Sequence, residues 1–193
     1  MRRICVFCGS SPGRSPAYAQ AAVTLGRELA ARGLGLVYGG ASVGLMGTIA
    51  DTVLQAGGEV IGVIPEAMIP LEVAHRRLQD LRVVPSMAER KRIMAELSDG
   101  FISLPGGTGT LDELFEMLTW SQLGEHDKPS GLLDVDGYFA NLIAFLDHAV
   151  EERFLRPEHR AMLIVETSAT ALLDRFESYT PPKVEKWIDR SQT

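Results

Sequence analysis

The sequence predicts an α/β protein: a single Rossmann-like domain with a parallel β-sheet flanked by helices on both faces. Three observations lead there. Strand-length apolar runs alternate with segments of helical period along the chain. The runs are apolar at nearly every position, as strands covered on both sides are. Glycine-bearing turns at Gly9, Gly39-Gly40 and Gly106-Gly107 each follow such a run, and parallel sheets bind ligands at the carboxyl ends of their strands.

The elements follow in order. Residues 4–8 are a strand and 9–13 a loop. An alanine-rich helix over 17–31 ends at Gly33. Residues 34–38 form the next strand, followed by a glycine-spaced turn at 39–47 and a helix that stops at Gly57-Gly58. Residues 59–64 form the third strand, broken by Pro65. Residues 66–80 read as a loop with a short helix. A strand at 81–84 leads to a helix over 86–97, then to the strand, glycine turn and helix of residues 100–123. A strand at 130–133, a helix over 138–154, a strand at 162–165 and a helix over 169–176 complete the domain, residues 1–180. The charged tail, 181–193, is expected to be peripheral.

Composition removes several classes. With 193 residues, 46% of them hydrophobic, the chain supports one substantial core, and nothing marks a second. A net charge of −6 argues against a general nucleic-acid surface. No apolar run approaches the roughly 18 residues that span a bilayer. Residues 1–8 imitate the start of a signal peptide, but the apolar part is short and no cleavage pattern follows, so the expected location is the cytoplasm. Cys5 and Cys8 form a C-x-x-C on a predicted strand. Three residues apart, they point to opposite faces, which suits two buried reduced thiols better than a metal or redox pair. His75, His126, His148 and His159 lack metal-ligand spacing, and no metal is expected. A serine nucleophile elbow and a P-loop are absent, and Gly40, Gly44 and Gly47 do not match the dinucleotide fingerprint.

The chemistry centres on Pro105-Gly106-Gly107-Thr108-Gly109-Thr110-Leu111-Asp112-Glu113, which joins a strand to a helix. Glycines there let the backbone turn tightly and bring its amides close to a ligand. The first-turn N–H groups and the positive end of the helix dipole suit an anion such as phosphate. Glu113 then faces whatever the turn holds. A bland account competes: Thr110 and Glu113 fit a capping box, with Thr110 as the cap. Arg90 sits in the middle of the apolar stripe of Met87, Ile93, Met94 and Leu97, where it needs a buried partner or an anionic ligand. Ser86 and Glu89 read as a structural capping box. The central helix is apolar on two sides, with Leu111, Leu114, Phe115 and Leu118 on one and Met117 and Trp120, beside Glu113, on the other. That suggests a subunit interface, with a layered monomer core as the competing account.

Met87-Ala88-Glu89-Arg90-Lys91, the glycine turn with Glu113, and Thr119-Trp120-Ser121-Gln122-Leu123-Gly124 closely resemble the LOG ("Lonely Guy") family of cytokinin riboside 5'-monophosphate phosphoribohydrolases. The likeness extends to Cys8-Gly9-Ser10-Ser11 and Tyr38-Gly39-Gly40, and so over most of the chain. Thr108 departs from the tyrosine that many members carry. The resemblance implies a Rossmann-like fold, usually homodimeric, and no cofactor. It implies hydrolysis of the N-glycosidic bond of N6-substituted adenosine 5'-monophosphates to free base and ribose 5-phosphate. AMP cleavage and dimer versus hexamer stay open. Arg90 and Glu113 would be the catalytic pair. Gly9, Ser10, Gly39, Gly40, Glu72, Met87, Lys91, Pro105, Gly106, Gly107, Thr108, Gly109, Thr110 and Thr119 would contact substrate. A non-hydrolytic nucleotide-binding module is the alternative.

Overall fold

The first predicted strand becomes the centre of the molecule. In the computed structural model, which describes residues 1–69 and 74–182, β1 (Arg3–Phe7) is flanked by β2 (Gly35–Tyr38) and β5 (Gly100–Ser103). Beyond β2 lie β3 (Val60–Pro65) and β4 (Asp80–Val84). Beyond β5 lie β6 (Ser130–Leu133) and β7 (Leu163–Glu166). Among the described residues all seven strands are parallel, in the order β4-β3-β2-β1-β5-β6-β7. The chain runs outward from β1 to β4, then returns to the other side of β1 with β5. This reversal is the topological switch point, where parallel sheets open a crevice at their carboxyl ends.

The helices are α1 (Pro16–Ala31), α2 (Gly44–Gln55), α3 (Met87–Leu97), α4 (Thr108–Leu123), α5 (Ala140–Glu151), α6 (Pro157–Arg160) and α7 (Ala169–Glu177). Alternation along β1 separates two layers. Ile4, Val6 and Cys8 pack with α1, α2 and α7 on one face. Cys5 and Phe7 pack with Met94 of α3 and Met117 of α4 on the other. A third cluster joins Leu114 and Leu118 of α4 to Phe139 and to Leu146 of α5. Burial of both faces explains why the strands lack polar positions. The two thiols are free and buried in separate layers, as the alternation requires.

Serines start three of the helices: Ser15 accepts a hydrogen bond from the Ala17 amide, Ser86 from Glu89 and Ser168 from Ala171. The Ser86 box closes on one side only, because the Glu89 carboxylate pairs with Arg92 instead. Some boundaries differ from expectation. The helix expected over 138–154 is shorter, because Asp136 and Gly137 take positive φ and the Phe139 amide bonds to Asp134. The short α6 was not anticipated. Glu66–Met68 is a 3₁₀ turn, and Ala74 bridges Ala41. Glu72, and the tail from residue 183, lie outside the described residues.

The two expected faces of α4 each find partners within the chain over part of their width. Leu114 and Leu118 pack toward α5, while Met117, with Trp120 against it, packs under α3. Leu111 and Phe115 sit at the margin, beside a shallow outward depression of about 490 Å3 lined with Thr108, Asp112, Glu116, Thr119 and Trp120. Leu123 and Phe145 are exposed.

Candidate active site

The capping-box reading of Glu113 fails. α4 starts at Thr108 and its N-cap is Gly107, which offers no side chain. Thr110 is therefore already helical and buried, and Glu113 lies in the second turn, beyond reach of the cap. The first i→i−4 bond runs from the Leu111 amide to the Gly107 carbonyl at 3.2 Å. The preceding amides of Thr108, Gly109 and Thr110 are the helix's end donors, where an anion is favoured.

That helix end, the close of β1, Gly39 and Arg90 bound one cleft of about 360 Å3, within the range of small-ligand sites. Its lining includes Gly9, Ser10, Gly39, Met87, Arg90, Gly107, Thr108, Gly109, Thr110 and Glu113. All ten belong to the expected set. Met46, Met68 and Asp112 also line it and were not anticipated. Met46 follows the glycine turn after β2 at the start of α2, which was the available signal. Met68 comes from a segment whose pattern gave none.

Arg90 is 5% exposed, as its place on the apolar stripe of α3 required. It donates to the Gly39 carbonyl at 3.1 Å and touches the Met87 sulfur at 3.4 Å. Only glycine leaves the guanidinium in this place: a Cβ on residue 39 would stand 1.9 Å from it. Glu113 is half-buried at the same cleft. Its charge reaches the end of β1, where burial first and then the Glu113 carboxylate push the Cys8 thiol far above its ordinary pKa.

The turn's glycines divide into two kinds. A Cβ on Gly106 would collide with Thr110 Oγ1 at 2.1 Å, so that glycine serves packing. Gly107 and Gly109 face open space, with nothing within 4 Å of a Cβ. Packing does not explain them, whereas close approach of a ligand to their amides does. Pro105 and Gly106 line a neighbouring pocket of about 310 Å3 instead, with Tyr18 and Tyr138. There the Tyr138 hydroxyl donates to the Gly106 carbonyl at 2.6 Å and clasps the turn from outside, a role that sequence reasoning missed.

Three expected contacts stand elsewhere. Gly40, at φ +78°, faces β3 and bonds to the His75 amide. Thr119 lies on the outward face of α4, its hydroxyl bonded to the Phe115 carbonyl. Lys91 is ion-paired with Asp112 and Glu116 and does not line the cleft.

A switch-point cleft lined by helix-end amides, a carboxylate and a buried arginine defines the class: a Rossmann-type protein whose cleft suits a small anionic ligand. The particular family is equally plain. The chain belongs to the LOG family, whose model, described as possible lysine decarboxylase, matches residues 46–176. The cytokinin riboside 5'-monophosphate phosphoribohydrolase LOG3 of Arabidopsis thaliana is 51% identical over 93% of this chain and 84% of its own length. A rice relative, probable cytokinin riboside 5'-monophosphate phosphoribohydrolase LOGL5, is 52% identical over 94% of this chain and 74% of its own. Among solved structures, the molybdenum cofactor carrier protein of Chlamydomonas reinhardtii superposes with a TM-score of 0.69 at 21% identity, covering 92% and 99% of the two chains. At that identity the likeness concerns the fold alone. The decarboxylase description fits the cleft poorly. Pyridoxal phosphate needs a Schiff-base lysine, and neither Lys91 nor Lys128, the lysines among the described residues, lines it.

Proposed function

We propose that the protein hydrolyses the N-glycosidic bond of N6-substituted adenosine 5'-monophosphates, the cytokinin riboside 5'-monophosphates, releasing free base and ribose 5-phosphate. The observation that carries this reading is the convergence of Arg90 and Glu113 at the anion-binding end of α4. The α4 amides hold the 5'-phosphate. As the bond from C1' to the base nitrogen lengthens, its electron pair leaves with the base and positive charge builds on the ribose. The Glu113 carboxylate opposes that charge and orients the water whose oxygen bonds to C1'. Arg90, fixed by Gly39, supplies a permanent positive charge that neutralises phosphate or holds Glu113 ionised. The water's two protons end on the new sugar hydroxyl and on the departing base.

The active form is a homodimer in the cytoplasm. Support for the dimer is the outward strip of α4, with Leu123 exposed at its end; light scattering on the purified protein tests it. Among the described residues no helix is long and apolar enough to cross a membrane.

The decisive assay incubates the protein with N6-isopentenyl-AMP, AMP and the dephosphorylated nucleosides, and quantifies released base beside Glu113→Gln. Release from the monophosphates alone, lost in the variant while the melting temperature holds, is expected. No release from any of them would leave a non-hydrolytic nucleotide-binding module.

A further inference from the structure

α3 and α4 pack mainly on the sheet. Besides the apolar contact around Met94 and Met117, an ammonium group links them. Lys91 Nζ lies 3.0 Å from Asp112 Oδ2 and 2.9 Å from Glu116 Oε2. Asp112 and Glu116 are four residues apart, so they stand above one another on a single side of α4. Glu113 follows Asp112 directly, as Lys91 follows Arg90. The two residues that bring chemistry to the cleft therefore each adjoin a member of the same ion triad.

The triad is mostly buried at its cation, half-buried at Glu116 and open to solvent at Asp112. The Lys91 side chain is only 12% exposed. Burial opposes its charge, yet the Glu116 and Asp112 carboxylates outweigh that and hold its pKa above the ordinary lysine value. Both carboxylates lie within ion-pair distance of one cation, and that cation stands behind Asp112 without itself lining the cleft.

We propose that Lys91 is a positioning residue for the hydrolysis proposed above, on which this inference rests: its triad with Asp112 and Glu116 fixes the rotation of α3 against α4, and hence Arg90 against Glu113. It does not grip the substrate's phosphate. Helix geometry shows why rotation matters. A side-chain tip sits about 6 Å from the helix axis, so a turn of roughly 20° carries it about 2 Å. Displacements of about 1 Å at a reacting centre cost about 100-fold in rate.

The test combines steady-state kinetics on N6-isopentenyl-AMP with calorimetric binding of ribose 5-phosphate. Lys91→Met is expected to lower kcat about 100-fold while KM and the ribose 5-phosphate Kd stay within about threefold. Lys91→Arg, which keeps the charge, restores most of kcat. In the charge swap, Lys91→Glu with Glu116→Lys recovers at least about tenfold of what Lys91→Glu alone loses, and recovers its melting temperature too. A KM and ribose 5-phosphate Kd weakened about tenfold or more, with kcat kept and no recovery in the swap, would overturn the proposal and make Lys91 a phosphate ligand. Should Lys91→Met fail to fold, Lys91→Arg and the swap decide alone. Wild-type protein inert toward every monophosphate would sink the hydrolase reading instead. The melting-temperature recovery of the swap would then still judge the triad.

Discussion

Gly39→Ala isolates the seat of Arg90. The added Cβ would stand 1.9 Å from the guanidinium and 2.4 Å from the Met46 methyl. Carbon contacts settle near about 3.5 Å, so the guanidinium must retreat by about 1.6 Å or the strand must shift. The φ of Gly39 is not in the left-handed region, so alanine meets no backbone strain and the effect is purely steric. Overpacking of this kind costs about 1–3 kcal/mol, which a domain of this size survives. Catalysis has less tolerance, because about 1 Å of misplacement removes about 100-fold in rate. The expected result is a folded protein with a modestly lowered melting temperature and kcat reduced at least about 100-fold. Base release read by chromatography, beside a thermal melt, measures both. A folded variant with kcat within about threefold of wild type would refute the claim that Arg90 works from this seat.

Other expectations follow from the same geometry. Gly107→Ala adds its Cβ to open space, so the melting temperature should hold while KM for the monophosphate rises, as steady-state kinetics would show. Burial first, aided by Lys128 for His126 and Arg156 for His159, pushes both imidazoles below the usual value of 6.5. The unfolded chain then takes those protons first, so stability falls as pH drops below 6.5. Melts at pH 7 and pH 5 should differ by several degrees, and a double His→Gln variant should flatten that slope. Cys5 and Cys8, whose burial raises both thiols, should resist alkylation in native buffer at pH 8 and both react in denaturant, as mass spectrometry would count.

Much of this was legible because apolar patterning reports burial. Arg90, centred among Met87, Ile93, Met94 and Leu97, pointed to burial, and it is buried. The alternation of Cys5 and Cys8 likewise gave their separate layers. Glu113 was harder. Thr108 and Thr110 have equal capping potential in a local pattern, and only the backbone of Gly107 reveals that neither caps α4. The faces of α4 stayed open between two accounts because an apolar residue on a helix can meet the sheet, a flanking helix or the outside, and period alone does not distinguish them. Lys91 and Thr119 carry resemblance to a binding motif, but what their side chains touch is set by elements far away in sequence or on the outer face. Tyr138 acts through a hydroxyl on a turn some thirty residues from the loop it clasps, a contact with no local signature.

The two thiols of β1 have a use apart from any chemistry of their own. Each packs against a different set of helices: Cys8 against α1 and α2, at the wall of the cleft, and Cys5 under α3 and α4. Under conditions of native-state exchange, the rate at which each becomes labelled reports the opening of its own half of the molecule. A single strand thus carries two internal clocks, and the order in which they run would tell whether the layer bearing Arg90 and Glu113 breathes independently of the layer behind it.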